Sequence, residues 1–151
     1  MDTAPAPAPA NIAVVDDDPL VALLLNRVLT KAGYGVTVYQ TGEQLLDVLT
    51  TTEHAVVCLD MSLPGLNGLQ VLERARVLKP ALRVILFSAA ADEVVQDARS
   101  AGAFAVVPKT GSWDELRATV ARALEARGRT GRAGRAGGAG WTEPRSRNPQ
   151  T

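Results

Sequence analysis

The sequence predicts a doubly wound α/β domain: a five-stranded parallel sheet in the order 2-1-3-4-5, covered by five helices. Three observations carry this expectation. Short aliphatic runs alternate with helically spaced apolar stretches five times between residues 11 and 126, the pattern of a parallel sheet buried on both faces. Right-handed crossovers then wrap the helices over both faces. Four of the runs also end on a reactive polar group, at Asp16-Asp17, Asp60, Ser88 and Lys109. Parallel strands share one carboxyl edge, and chemistry in open α/β sheets sits beyond it, where the strand order reverses.

The elements follow in order. Asn11 to Val15 is the first strand. Asp18-Pro19 pairs a capping residue with a proline suited to the first helical position. The first helix is expected from Pro19 to about Ala32, with Leu20, Leu24, Leu25, Val28 and Leu29 at helical spacing and Gly33 as its stop. Gly35 to Tyr39 is a short strand. Thr41-Gly42-Glu43 starts a second helix, with Leu45, Leu46, Val48 and Leu49 as its apolar content. Val56-Val57-Cys58-Leu59 runs straight into Asp60 and a turn, which reads as a fully buried strand. A third helix lies within Leu66 to Leu78, with Leu69, Leu72 and Val77 inward and Pro80 closing it. Arg83 to Phe87 is a fourth strand ending at Ser88, followed by a short helix from Asp92 to Ser100 and a stop at Gly102. Phe104 to Val107 is a fifth strand that continues through Pro108 to Lys109. Ser112 caps a fifth helix to about Ala126, with Trp113, Leu116, Val120 and Leu124 on one face.

Hydrophobic residues make up 46% of the 151 and aromatics 4%, so the core is aliphatic. The formal net charge of zero hides an uneven distribution. From Arg127 onward there are six Arg and one Glu, which leaves ten basic and fifteen acidic groups in the body. Residues 1–10 form an Ala/Pro leader expected to be disordered. The Gly/Arg-rich stretch 127–151 is likewise expected to be a disordered basic tail. Arginine-rich tails can bind nucleic acid, but a solvating tail is favoured because no aromatic is interleaved before Trp141. With one cysteine there is no intrachain disulfide. No segment reads as a signal peptide or a membrane span, so a cytoplasmic location is expected. Cys58 is expected to be a small buried apolar residue. His54 is expected at a solvated strand start, and Trp113 in the core.

A carboxylate where a buried strand leaves the core must be solvated, paired or metal-bound. With strands one and three flanking the switch point, Asp60 faces Asp16 and Asp17. Three clustered carboxylates are tolerable once a divalent cation neutralises them, and oxygen ligands without His or Cys suit Mg2+. Lys109 adds a point charge of the phosphate-holding kind, and Ser88 a hydroxyl donor. A carboxylate nucleophile, a divalent cation, an ammonium and a hydroxyl are the parts needed to receive a phosphoryl group.

Over residues 11–126 this set resembles the receiver domain of two-component response regulators, on Asp16-Asp17, Asp60, Pro64-Gly65 with Gly68, Ser88-Ala89 and Lys109. The resemblance implies a flavodoxin-like architecture in which Asp60 is the phosphoacceptor. It implies that Asp17 ligates Mg2+ directly, that Asp16 acts largely through water, and that the Ser62 backbone carbonyl is a further ligand. Ser88 would hydrogen-bond the phosphoryl group and Lys109 would pair with it. The donor would be a phosphohistidine on a sensor histidine kinase or histidine phosphotransfer protein, and the output a phosphorylation-dependent contact with a downstream protein. Three departures stand out. The family usually has an aromatic switch residue three positions before the lysine, and here it is Val106. Phe104, two residues earlier, is expected on the same side of the strand. Thr110 replaces the frequent cis-proline, and a cis bond there would cost roughly 3–4 kcal/mol, so a trans or strained loop is expected. Leu63 stands where methionine is common.

Two other functions compete with this signalling switch, which is not expected to be an enzyme. One is a receiver-like docking module that is never phosphorylated. The other is a Mg2+-dependent phosphohydrolase, which wants a general-acid carboxylate two residues after the nucleophile; Ser62 occupies that position.

Overall fold

A computed structural model describes the backbone of residues 10–133 and the side chains of residues 10–126. Five strands, β1 (Asn11–Val15), β2 (Gly35–Tyr39), β3 (Val56–Asp60), β4 (Arg83–Ser88) and β5 (Ala105–Pro108), pair in parallel in the order β2-β1-β3-β4-β5. Five helices connect and follow them: α1 (Pro19–Lys31), α2 (Gly42–Val48), α3 (Gly68–Leu78), α4 (Ala91–Ala101) and α5 (Trp113–Ala133). The expected fold class and strand order are the observed ones.

The pleat sorts the core into two layers. Ile12, Val14, Val56, Cys58, Ile85, Phe87 and Val107 face α1 and α5. Ala13, Val15, Val57, Leu59, Val84, Leu86 and Val106 face α2, α3 and α4. All five residues of β3 are buried, as a central strand covered on both faces requires. Asp18 caps α1, its side chain accepting from the Leu20 and Val21 amides. Asn67 closes α3 with a reciprocal capping box to Gln70. The glycine stops are real: Gly33 (φ 102°) and Gly102 (φ 95°) take the left-handed conformation that ends a helix.

Several expectations fail in instructive ways. On α3 the inward residues are Val71, Leu72 and Ala75, whereas Val77 is 81% exposed. The helix starts at Gly68, and that phase turns Val77 to solvent. On α1, Leu20 and Leu24 join Leu23 on the exposed side, and Ala22, Leu25 and Leu29 fill the core. Trp113 is 41% exposed, because it opens α5 above the sheet edge rather than over its middle. Phe104 packs in the α1–α5 layer with the Arg83 guanidinium 5.9 Å over its ring, opposite Val106. Side-chain alternation holds only within a strand, and β5 begins at Ala105, after Phe104. His54 is buried, at 6% exposure. The Tyr39 hydroxyl lies 2.8 Å from His54 Nε2, and His54 Nδ1 faces Asn11 Oδ1.

Helix α5 continues to Ala133, past the expected end near Ala126; propagating a formed helix is far cheaper than nucleating one, even through glycine. The leader at residues 1–9 and the tail at 134–151, with its nucleic-acid reading, lie outside the described residues. Among the described residues no helix is long and apolar enough to cross a membrane. No peptide bond there is cis, so Lys109–Thr110 is trans.

Candidate functional site: an acidic cluster at the switch point

β1 and β3 are neighbours, and their exits bring Asp16, Asp17 and Asp60 together. Carboxylate oxygens from the three lie within 4.8 Å of one another. Asp16 and Asp60 are buried, whereas Asp17 is exposed. Each buried acid is fixed through one oxygen. Asp16 Oδ1 accepts from the Asp18 amide at 2.9 Å, an Asx turn that also sets up the α1 cap. Asp60 Oδ1 accepts from the Ser62 amide at 3.1 Å and pairs with Lys109 Nζ at 3.0 Å.

The remaining Asp16 oxygen, Oδ2, is buried without a hydrogen-bond partner. The Asp16 carboxyl is raised from 3.8 to about 6, chiefly by burial and also by the Asp60 and Asp17 charges, against the Asp18 amide and Lys109. One lysine facing three carboxylates leaves net negative charge in a half-buried space. An orphaned oxygen beside two other carboxylates, with oxygen-only donors, fits a hard divalent cation such as Mg2+.

β4 and β5 complete the rim. Ser88 is buried at the end of β4, its Oγ accepting from the Ala90 amide at 3.0 Å. The Lys109 amide donates to the Ser88 carbonyl at 3.0 Å, which ties the two strand ends together. Ser62 sits on the exposed loop after β3. The structure thus gathers Asp16, Asp17, Asp60 and Lys109 in one place, with Ser62 and Ser88 on the adjoining strand exits. Val106 lies away from this edge, 1% exposed within the layer that includes α4. Cys58 is fully buried, its thiol pushed up to about 12 by desolvation, in keeping with a packing role. An apolar groove of about 150 Å³ opens beside Lys109, lined by Val21, Leu24, Phe87, Trp113 and Leu116 among others. The sequence signal for it was the surplus of leucines on α1.

A doubly wound sheet with acids at its switch point and a lysine opposite defines a class of small α/β proteins with an aspartate-centred, cation-ready site. Within that class the chain belongs to the response regulator receiver domain family, whose pattern matches residues 12–121. It is 34% identical over 114 residues to the sporulation initiation phosphotransferase F of Bacillus subtilis, covering 75% of this chain and 92% of that protein. It is 38% identical over 112 residues to the DNA-binding transcriptional regulator NtrC of Klebsiella pneumoniae, covering 74% of this chain but only 24% of that regulator. The response regulator TrrA of Thermotoga maritima, solved in complex with Mg2+-BeF, superposes with a TM-score of 0.71 at 32% identity, over 76% of this chain and 99% of that one.

Proposed function

We propose that this chain takes a phosphoryl group from a phosphohistidine onto Asp60 and signals through a phosphorylation-dependent protein contact. The observation that carries the reading is Asp60 itself: a buried carboxylate, 3.0 Å from Lys109 and clustered with Asp16 and Asp17. The Ser62 amide and Lys109 hold one Asp60 oxygen, so the carboxylate is oriented before any donor arrives. In the transfer an Asp60 oxygen bonds phosphorus as the phosphorus–nitrogen bond breaks, and the leaving imidazole keeps the electron pair and takes a proton. Asp16, Asp17, Asp60 and the Ser62 carbonyl would hold Mg2+, which would supply charge neutralisation for the phosphoryl oxygens. Lys109 pairs with the new phosphoryl group, and the Ser88 hydroxyl turns from the Ala90 amide to donate to it. Val106 is packed in the core, so the read-out runs through Ser88, Lys109 and α4 instead of a rotating ring.

The relatives support this reading. One is a phosphotransferase by name, and another was solved in complex with Mg2+-BeF. The donor must cover the carboxyl edge to reach Asp60. The groove lined by Leu24, Lys109 and Trp113, with Leu20 exposed one turn before Leu24 on α1, suits the apolar face of a helical phosphohistidine protein. Its location follows as cytoplasmic.

Incubation with acetyl phosphate and Mg2+, followed by intact-mass analysis, tests the assignment. One phosphoryl group is expected on the wild type and none on Asp60→Asn or after chelation. An unchanged wild-type mass overturns the assignment, as does a gain that survives Asp60→Asn.

A further inference from the structure

We propose that Glu43 is a positioning residue for the Asp60 site, bracing from α2 the loop that carries Ser62. This rests on the receiver reading above for the cation that the loop serves.

The loop from Met61 to Asn67 must present the Ser62 carbonyl toward the acids. Its ends are secured: the Met61 amide donates to Phe87 O at 3.0 Å and the Gly68 amide to Met61 O at 3.0 Å. The Asn67 amide donates to Gln70 Oε1 at 2.9 Å. Ser62 is held by its amide on Asp60 and Leu63 by burial in the core, which leaves the turn after Leu63 without an anchor of its own. Pro64 has no N–H, and Gly65 turns the chain through φ 72°. There Glu43 Oε2 accepts from the Leu66 amide at 3.3 Å, a bond that crosses from α2 to the loop, 23 residues along the chain. Gly65 makes room for it: a Cβ at that position would stand 2.8 Å from the same oxygen.

Glu43 has a firm base from which to reach. Thr41 caps the helix, its hydroxyl accepting from the Gln44 amide. Gly42 is pressed so closely on α3 that a Cβ there would come within 2.1 Å of Val71 Cγ2. Just before the helix, the Tyr39 carbonyl accepts the Asp16 amide at 3.0 Å. The short segment from Tyr39 to Glu43 therefore braces both acidic strand exits, Asp16 through a backbone bond and the Ser62 loop through Glu43. Losing the Glu43 oxygen frees the loop while leaving every acid in place.

The test compares wild type, Glu43→Ala and Glu43→Gln by Mg2+ calorimetry, amide hydrogen exchange and denaturant midpoint. Outer-shell partners of a metal site are typically worth 10–100-fold in affinity, and an exposed bond belongs at the low end, so Glu43→Ala is expected to weaken Mg2+ binding about tenfold. Its Leu66 amide should exchange faster at an unchanged denaturant midpoint. Glu43→Gln keeps an acceptor oxygen and should stay within about twofold of wild type for Mg2+. Wild-type Mg2+ affinity in Glu43→Ala overturns the proposal; so does a Gln variant as weak as the Ala variant, which would point to charge instead of the bond. If the wild type binds no Mg2+, the receiver reading fails and the cation role with it. The Leu66 amide then decides the brace alone, and unchanged exchange in Glu43→Ala overturns that too.

Discussion

At the carboxyl edge Asp16 keeps a buried oxygen with no partner. At the opposite end of the same strand Asn11 joins His54 and Tyr39 in a closed set of hydrogen bonds. Both clusters are polar and buried, and both link β1 to the region of β3. With Nδ1 donating to the Asn11 oxygen and Nε2 accepting from the Tyr39 hydroxyl, neutral His54 spends both ring nitrogens. Burial pushes its pKa below the usual 6.5, aided by Lys79. A satisfied cluster of this kind holds a connection in place. The acidic cluster has unmet capacity and mutual repulsion, which suits the cation and phosphoryl group proposed for it. Buried polarity alone does not mark function; at the acidic cluster an unmet oxygen coincides with clustered like charge.

Three substitutions sharpen the contrast. The largest effect is expected from His54→Ala, which leaves Tyr39 and Asn11 unpaired beside a cavity. It should cost about 2–4 kcal/mol in urea unfolding at pH 7.5, while the surviving folded fraction still takes up phosphate on Asp60. A folded-state pKa below 6.5 means the neutral form stabilises the fold above pH 6.5, and that contribution fades as pH falls below it. The gap between wild type and His54→Ala should therefore narrow below pH 6.5. Phosphate uptake lost at full folded population would instead move His54 into the site.

Asp16→Asn should act with the opposite sign. A carboxyl raised from 3.8 to about 6 favours its protonated form in the fold, so the charged form is a penalty. That penalty is absent below about pH 4, grows between 4 and 6, and is complete at pH 7. Without Mg2+ the variant should be more stable than wild type at pH 7 by about 2 kcal/mol, at roughly 1.4 kcal/mol per pH unit with allowance for screening. Thermal melts should show the gap closing toward pH 4 and closing again when Mg2+ is added to the wild type. A destabilised variant at pH 7 would mean the acids are not strained.

Smallest of all is Leu20→Ser on the exposed side of α1, one turn before the groove residue Leu24. Stability should move by less than about 0.5 kcal/mol. Uptake from acetyl phosphate should be unchanged, whereas transfer from a phosphohistidine protein should slow. Equal slowing with both donors would remove the docking role of that face.

Much of this molecule was legible from residue order. Strand β3, the Asp18 cap and the glycine stops are local features, written in apolar runs and in single residues with one physical use. Given the order 2-1-3-4-5, the meeting of Asp16, Asp17, Asp60 and Lys109 follows, because parallel strands share one carboxyl edge and β1 lies beside β3. The places where that reading failed are also specific. Val71 rather than Val77 faces inward because the phase of α3 is set by where its capping box forms. Phe104 and Val106 separate because β5 begins one residue late. His54 is buried by Asn11, 43 residues away, and Glu43 reaches Leu66 from another helix. By itself the sequence determined the elements, their order and the acids at their ends, because periodicity and capping act over a few residues. Only the tertiary structure decided which polar groups are satisfied and which are left wanting, because that depends on partners distant along the chain.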